Sequence, residues 1–200
     1  MMSDRTDHLL GRRAFLRSGA AIACAAAAPA WAQDSTAFPE DDAPEIVKRN
    51  IAGFRAHRWQ PHFDTLRGGA ILVDTKARSL HYWSEDESVF KIYPTSVPLS
   101  PELTRLGRTS VTQKVEGPSW APTPSMIKRN PEWPPFVPPG PDNPLGTHAL
   151  YLSWKYYRIH GTHDVRKIGR QSSNGCIGLY NEDIQELFEL AKVGTQVLLI

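Results

Sequence analysis

Between Gly117 and Gly146 the chain reads GPSWAPTPSMIKRNPEWPPFVPPGPDNPLG, a run holding ten of its 17 prolines. Proline has no amide hydrogen and a fixed φ, so a segment this dense excludes a regular central strand or helix. One reading is a linker between two domains. Only 54 residues follow it, however, and Trp120, Trp133 and Phe136 are unusual linker residues. A loop of this length inside one domain is usually functional. The expectation is an ordered flap or groove wall, with the flanking segments building a single domain around it.

Those flanks read mostly as strands. AILVDTKARSLHYW gives an apolar run at 71–73, a polar link over 74–78, then Leu80, Tyr82 and Trp83. SVFKIYPTSV and RTSVTQKV supply two more strands before the proline-rich run, and THALYLSW and YYRIHG two after it. Near the end, Asn181 is expected as a helix N-cap, with Glu182 and Asp183 favourable in the first turn. Ile184, Leu187, Phe188 and Ala191 then share one face, Gly194 ends the helix, and TQVLLI closes as a strand. The result is a mainly β fold: a β-sandwich or barrel-like sheet, one main helix and a long proline-rich loop. The folded domain is expected over 68–200. Residues 33–67 read as a polar, partly disordered lead-in with a short helix over 45–59.

The first residues speak to location. GRRAFLRSGAAIACAAAAPAWAQ sets Arg12 and Arg13 before Phe15-Leu16 and an alanine-rich run ending in Ala30-Trp31-Ala32. That order is a secretory signal with an A-x-A cleavage site, and the paired arginines resemble a twin-arginine signal. The apolar run is too short for a span of ~20 residues. Residues 1–32 are therefore expected to be a removed signal peptide, leaving a periplasmic protein with no integral membrane span. Lipidation at Cys24 is the weaker alternative, because Ala21 stands where a larger aliphatic residue would be expected. A net charge of +2 with scattered arginines carries no nucleic-acid footprint.

If the signal is removed, Cys176 is the one remaining cysteine of the chain's two. An exported lone thiol has no internal disulfide partner. A buried cysteine acting as a small hydrophobe is the plain alternative, but the approach SSNGC is polar and flexible. Upstream, RIHGTHD carries His160 at the end of a strand-like run. An imidazole within reach could take the thiol proton and make a nucleophile for acyl carbons. The glycine before the cysteine would let backbone amides face an oxyanion. Zinc held by His160, His163 and Cys176, with Asp164 nearby, is the rival reading, although no fuller ligand pattern supports it.

IHGT at 159–162 and SNGCI at 173–177 resemble the marks of the L,D-transpeptidase catalytic domain, or YkuD, family, and GPDNPLGTHALYL and LYNEDIQELFELAKVGTQVLL are similar to it as well. The resemblance implies Cys176 as nucleophile, His160 as general base, and a Gly161 carbonyl orienting the imidazole. It also implies amides of Gly175 and Cys176 at the oxyanion, with Ser173 and Asn174 shaping the loop. No cofactor or metal is implied. The implied substrate is a peptidoglycan tetrapeptide stem, attacked at the diaminopimelate carbonyl with loss of D-Ala. The implied acceptor is a second stem, an outer-membrane protein amine, a free D-amino acid or water. Two departures stand out: Asn174 where many relatives have His, and Gly178 where many have Arg. Arg158, Arg166 and Arg170 are the candidates to replace that guanidinium. A carboxypeptidase or exchange enzyme on the same thioester, and a non-catalytic peptidoglycan-binding module, are the alternatives.

Overall fold

The computed structural model describes residues 55–200. The signal-like segment and most of the helix expected over 45–59 lie outside the described residues, and 55–59 is not helical. Ten strands follow in order: β1 (Ala70–Asp74), β2 (Ser79–Trp83), β3 (Phe90–Pro94), β4 (Val97–Pro98), β5 (Gly107–Glu116), β6 (His148–Leu152), β7 (Arg158–His160), β8 (Gln171–Ser173), β9 (Ile177–Gly178) and β10 (Gln196–Leu199). Among the described residues there are also two α-helices, α1 (Pro124–Arg129) and α2 (Asn181–Leu190), and short 3-10 turns at Pro101–Leu103 and Val165–Lys167.

Eight strands form one sheet in the order β3-β2-β1-β10-β5-β6-β7-β9, and β4 pairs with β8 beside it. The sheet changes character along β5. Residues 107–110 pair with β10, residues 111–116 pair with β6, and the register shifts between Val111 and Gln113. An extra residue at such a bulge bends the strand and raises its twist. The sheet therefore curls around an apolar centre that includes Ile71, Leu150, Ile159, Ile177 and Leu199. Helix α2 closes this centre with Ile184 and Leu187, both fully buried. The fold is mainly β, as the pattern of short apolar runs leads one to expect.

Strand β1 is buried on both faces, which explains its unbroken AILV run. Ile71 and Val73 face the main centre, while Ala70 and Leu72 meet Phe63, Leu66 and Trp83. Packing thus reaches back past Gly68 into the segment read as a polar lead-in. Helix α2 also differs from expectation at both ends. Tyr180 holds the N-cap position, and Asn181 is helical and accepts a hydrogen bond from the Thr147 amide at 3.2 Å. The helix stops at Leu190, whereas Gly194, with φ +95, lies in the turn that feeds β10.

The proline-rich run is an ordered flap. Thr123 caps α1 and Pro124 occupies its first turn, where a missing amide hydrogen removes no internal bond. Trp120 and Val137 exchange backbone hydrogen bonds at 2.9 and 2.8 Å, and Trp120 meets Trp133 edge-on at 5.7 Å. Prolines leave carbonyls without ladder donors, and the buried Asn143 supplies them: its amide nitrogen donates to the carbonyls of Pro118 at 2.9 Å and Pro138 at 2.8 Å.

Candidate active site

Strands β7 and β9 run parallel as neighbours, with Ile159 opposite Ile177 and His160 opposite Gly178. One step back in that register, Cys176 stands opposite Arg158. Residues two apart on a strand share a face, so Arg158 and His160 point the same way, and Cys176 joins them. All three line one cavity of about 570 Å³, together with Ser173, Asn174 and Gly175. Trp120, Met126 and Trp133 of the flap wall it on one side, and Tyr156 and Tyr157 of the β6–β7 turn on another. The two residues that sequence spacing alone could not join are brought together by strand pairing.

The imidazole of His160 is oriented by its own turn. Nδ1 lies 2.5 Å from the Gly161 carbonyl oxygen. A carbonyl can only accept, so Nδ1 carries the hydrogen and Nε2 is left with its lone pair. The thiol has a partner of its own: Cys176 Sγ donates to the Tyr156 carbonyl at 3.3 Å. Tyr156 has φ +68, a left-handed backbone uncommon for a tyrosine, in the turn joining β6 to β7. This conformation accompanies the presentation of its carbonyl to sulfur.

The loop before the cysteine is held from within. Ser173 Oγ donates to the Cys176 carbonyl at 2.6 Å and accepts from the Gly175 amide at 3.3 Å. Of the two amides expected to face an oxyanion, that of Gly175 is therefore engaged inside the loop. Gly175 itself has φ +133, which a side chain rarely tolerates. Asn174 is exposed and accepts from Arg129 Nη2 at 3.0 Å, tying the nucleophile loop to helix α1 of the flap. Gly178 also has a structural reason. Ser96 forms a bridge with it, and a Cβ at 178 would run into Ser96 Oγ. No side chain of any charge fits there while Ser96 stays in place.

Burial sets the protonation states. It lowers the His160 pKa to about 4 even though the Gly161 carbonyl favours the charged ring; the cations Arg158 and Lys167 push the same way as burial. Burial raises the Cys176 thiol, and Arg158 opposes that rise by charge and hydrogen bonding. At neutral pH the resting pair is a thiol and a neutral imidazole. Both side chains keep part of their surface open to the cavity.

Of the three arginines considered for the guanidinium absent at 178, Arg158 is the one at the cavity. Arg166 is paired with Asp164 at 2.8 Å, and Arg170 is exposed. That pairing also engages Asp164, the nearby acid of the zinc alternative, and among the described residues no group of three or more His, Cys, Asp or Glu side chains is arranged to hold a metal. Sequence reasoning missed Tyr156, Arg129 and Ser96. Only backbone dihedrals and tertiary contacts bring them to the site, so no local pattern could have found them.

The family model of the L,D-transpeptidase catalytic domain, YkuD, matches residues 68–199. A protein from the ATP synthase subunits region of Fuscovulum blasticum, named among the L,D-transpeptidases, is 54% identical over 191 residues, covering 96% of this chain and 98% of that one. ErfK/SrfK of Escherichia coli strain K12, named likewise, is 40% identical over 142 residues, 68% of this chain but only 45% of that protein. The chain thus spans less than half of that longer relative. In fold, L,D-transpeptidase 3 from Mycobacterium tuberculosis superposes with a TM-score of 0.55 at 15% identity, over 66% of this chain and 61% of that one. A domain match over 68–199 and a relative covered almost end to end place this chain in the YkuD family of L,D-transpeptidase catalytic domains.

Proposed function

We propose that this protein is an exported peptidoglycan L,D-transpeptidase in which Cys176 forms a thioester with a tetrapeptide stem. The observation that carries the reading is the shared cavity of Cys176 and His160, with Nδ1 of the ring engaged by Gly161 and Nε2 left as the proton acceptor. As the sulfur attacks the diaminopimelate carbonyl, its proton passes to Nε2 and the S–C bond forms. The Cys176 amide faces the oxyanion, and a donor of that kind is typically worth about 3 kcal/mol. The C–N bond to D-Ala then breaks, and the imidazolium gives its proton to the leaving amine. An acceptor amine attacks the thioester, its proton goes through His160 to the departing thiolate, and the resting pair is restored.

The resting thiol is neutral and bonded to the Tyr156 carbonyl, so deprotonation accompanies attack. Such a site stays quiet until a substrate displaces that contact. The signal-like N-terminus supports delivery to the periplasm, and the ordered flap supports transfer to an amine over loss to water. A second stem is the acceptor in this reading; an outer-membrane protein amine would use the same thioester.

The test is product analysis with purified disaccharide-tetrapeptide. Cross-linked dimer with release of D-Ala is expected; tripeptide alone would make the enzyme a carboxypeptidase, and an unchanged substrate would leave a binding module. A carbapenem, whose strained amide offers an acyl carbon, should add one drug mass to the wild type and none to Cys176→Ala.

A further inference from the structure

Two cations that line the cavity, Arg158 and Lys167, are in no ion pair among the described residues. Arg158 stands opposite Cys176 in the strand register, and Lys167 follows from the short turn Val165–Lys167. Both line the cavity, and both act on the charge of His160. Among the described residues no carboxylate lies within ion-pair distance of either. The acids nearby are accounted for differently. Asp164 is bound to Arg166 at 2.8 Å, while Glu102 and Asp142 line the cavity without pairing to these cations. The guanidinium of Arg158 packs over the Tyr151 ring at 4.7 Å, and its Nε is buried with no hydrogen-bond partner. Arg158 also reaches the Cys176 thiol, and a guanidinium carries five N–H donors, which leaves others for a group that enters the cavity.

Strand β9 offers no alternative cation, because Ser96 fills the space over Gly178. The positive charge beside the thiol is therefore carried by β7. From this we infer that Arg158 and Lys167 form a receptor for a carboxylate of the donor peptide within one residue of the scissile carbonyl. The inference rests on the function proposed above and names the chemistry its donor must present. A planar guanidinium can hold a carboxylate through two parallel hydrogen bonds, and the ammonium of Lys167 adds a point charge. Two groups of a tetrapeptide stem meet the description: the terminal carboxylate of the departing D-Ala, and the free carboxylate of diaminopimelate.

The experiment measures D-Ala or D-alaninamide release from three substrates: the tetrapeptide, its C-terminal amide, and the peptide amidated on diaminopimelate. Arg158→Met is expected to raise KM for the tetrapeptide about 10- to 100-fold, the range for losing hydrogen bonds to a charged partner. Arg158→Lys recovers part of that loss, and Lys167→Met costs about 3- to 10-fold, as a single exposed-side charge would. On the analogue lacking the recognised carboxylate, wild type and Arg158→Met should differ less than about 3-fold, closing a double-mutant cycle. Whichever amide removes the difference identifies the carboxylate. Equal loss in Arg158→Met on all three substrates would overturn the receptor, as would an unchanged KM with a shifted pH dependence of iodoacetamide alkylation, which would assign Arg158 to the thiol alone. If Arg158→Met does not fold, Lys167→Met, on a surface turn, decides in its place: the receptor stands if one amide abolishes its KM effect and falls if none does. Wild-type enzyme that releases nothing from any of the three peptides would instead remove the proposed function, and the receptor with it.

Discussion

His160 and His81 carry the same perturbation and different surroundings. Burial lowers the pKa of each to about 4. His81, in the middle of β2, is fully buried and stacks with Trp83 at 5.8 Å and Phe90 at 6.1 Å. Its Nε2 lies 3.3 Å from the Arg55 carbonyl, and its Nδ1 has no partner. Around it stand His57, His62 and Asp74, with no thiol among them. His160 ends its strand at a cavity, with Nδ1 satisfied and a thiol lining the same cavity. A depressed pKa by itself marks burial. Function additionally needs an available ring nitrogen and a reacting partner in the same space.

The largest expected difference is in turnover. His160→Gln should slow D-Ala release by about 10²- to 10⁴-fold, the usual contribution of a positioned general base. His81→Phe, which preserves the stacked ring, should leave the rate within about 2-fold. Comparable losses in both variants would break the contrast and return His160 to a structural role.

How much of the molecule is legible in its sequence follows from what each feature depends on. The β1–β2 hairpin is readable because AILV and LHYW are apolar runs around a polar link. Cys176 and His160 stand out in the sequence because HGT and SNGC set a histidine and a lone thiol beside glycines, and the fold puts both at one cavity. Strands β4, β8 and β9 have two or three residues each, too short for any alternation to register. Asparagine favours a cap position, which points to Asn181, but its side chain is engaged by the Thr147 amide of another segment. Choosing Arg158 over Arg166 and Arg170 requires the β7–β9 register and the Asp164–Arg166 pair, both tertiary facts.

The pH dependence sharpens the comparison in two readouts. For activity, His160 must be neutral to accept the thiol proton, so the acid limb of D-Ala release should fall near pH 4 to 5, below the ordinary imidazole value. An acid limb near 6.5 would show a ring that is not desolvated. For stability, the folded pKa of His81 lies below its unfolded value of 6.5. The unfolded chain then binds more protons between about 6.5 and 4, and the native state loses stability as pH falls through that window. The full effect for His81 is on the order of 3 kcal/mol. Denaturant unfolding of His81→Phe should show that much less decline from pH 7 to 4, while His160→Gln should remove its own, separate decline.

The smallest effect separates a sealed ring from a gated one. Arg129 Nη2 and Asn174 Oδ1, 3.0 Å apart, are an exposed contact joining the flap to the nucleophile loop. A hydrogen bond of this kind contributes about 1 kcal/mol or less, so Arg129→Ala should let the flap open more often without unfolding the domain. Water then reaches His160, whose low pKa depends chiefly on burial. In an NMR titration its pKa should rise by about half a pH unit, worth ~0.7 kcal/mol, while that of His81, within β2 and far along the sheet order from β7, should not move. More frequent opening also admits water to the thioester, so tripeptide should gain on cross-linked dimer by about 2- to 3-fold, as expected for a barrier change of well under 1 kcal/mol. A rise at both histidines would mean that Arg129 supports the whole fold. An unmoved His160 would mean that the flap's prolines and the Asn143 clamp hold it shut by themselves, and that the contact with Asn174 only trims its edge.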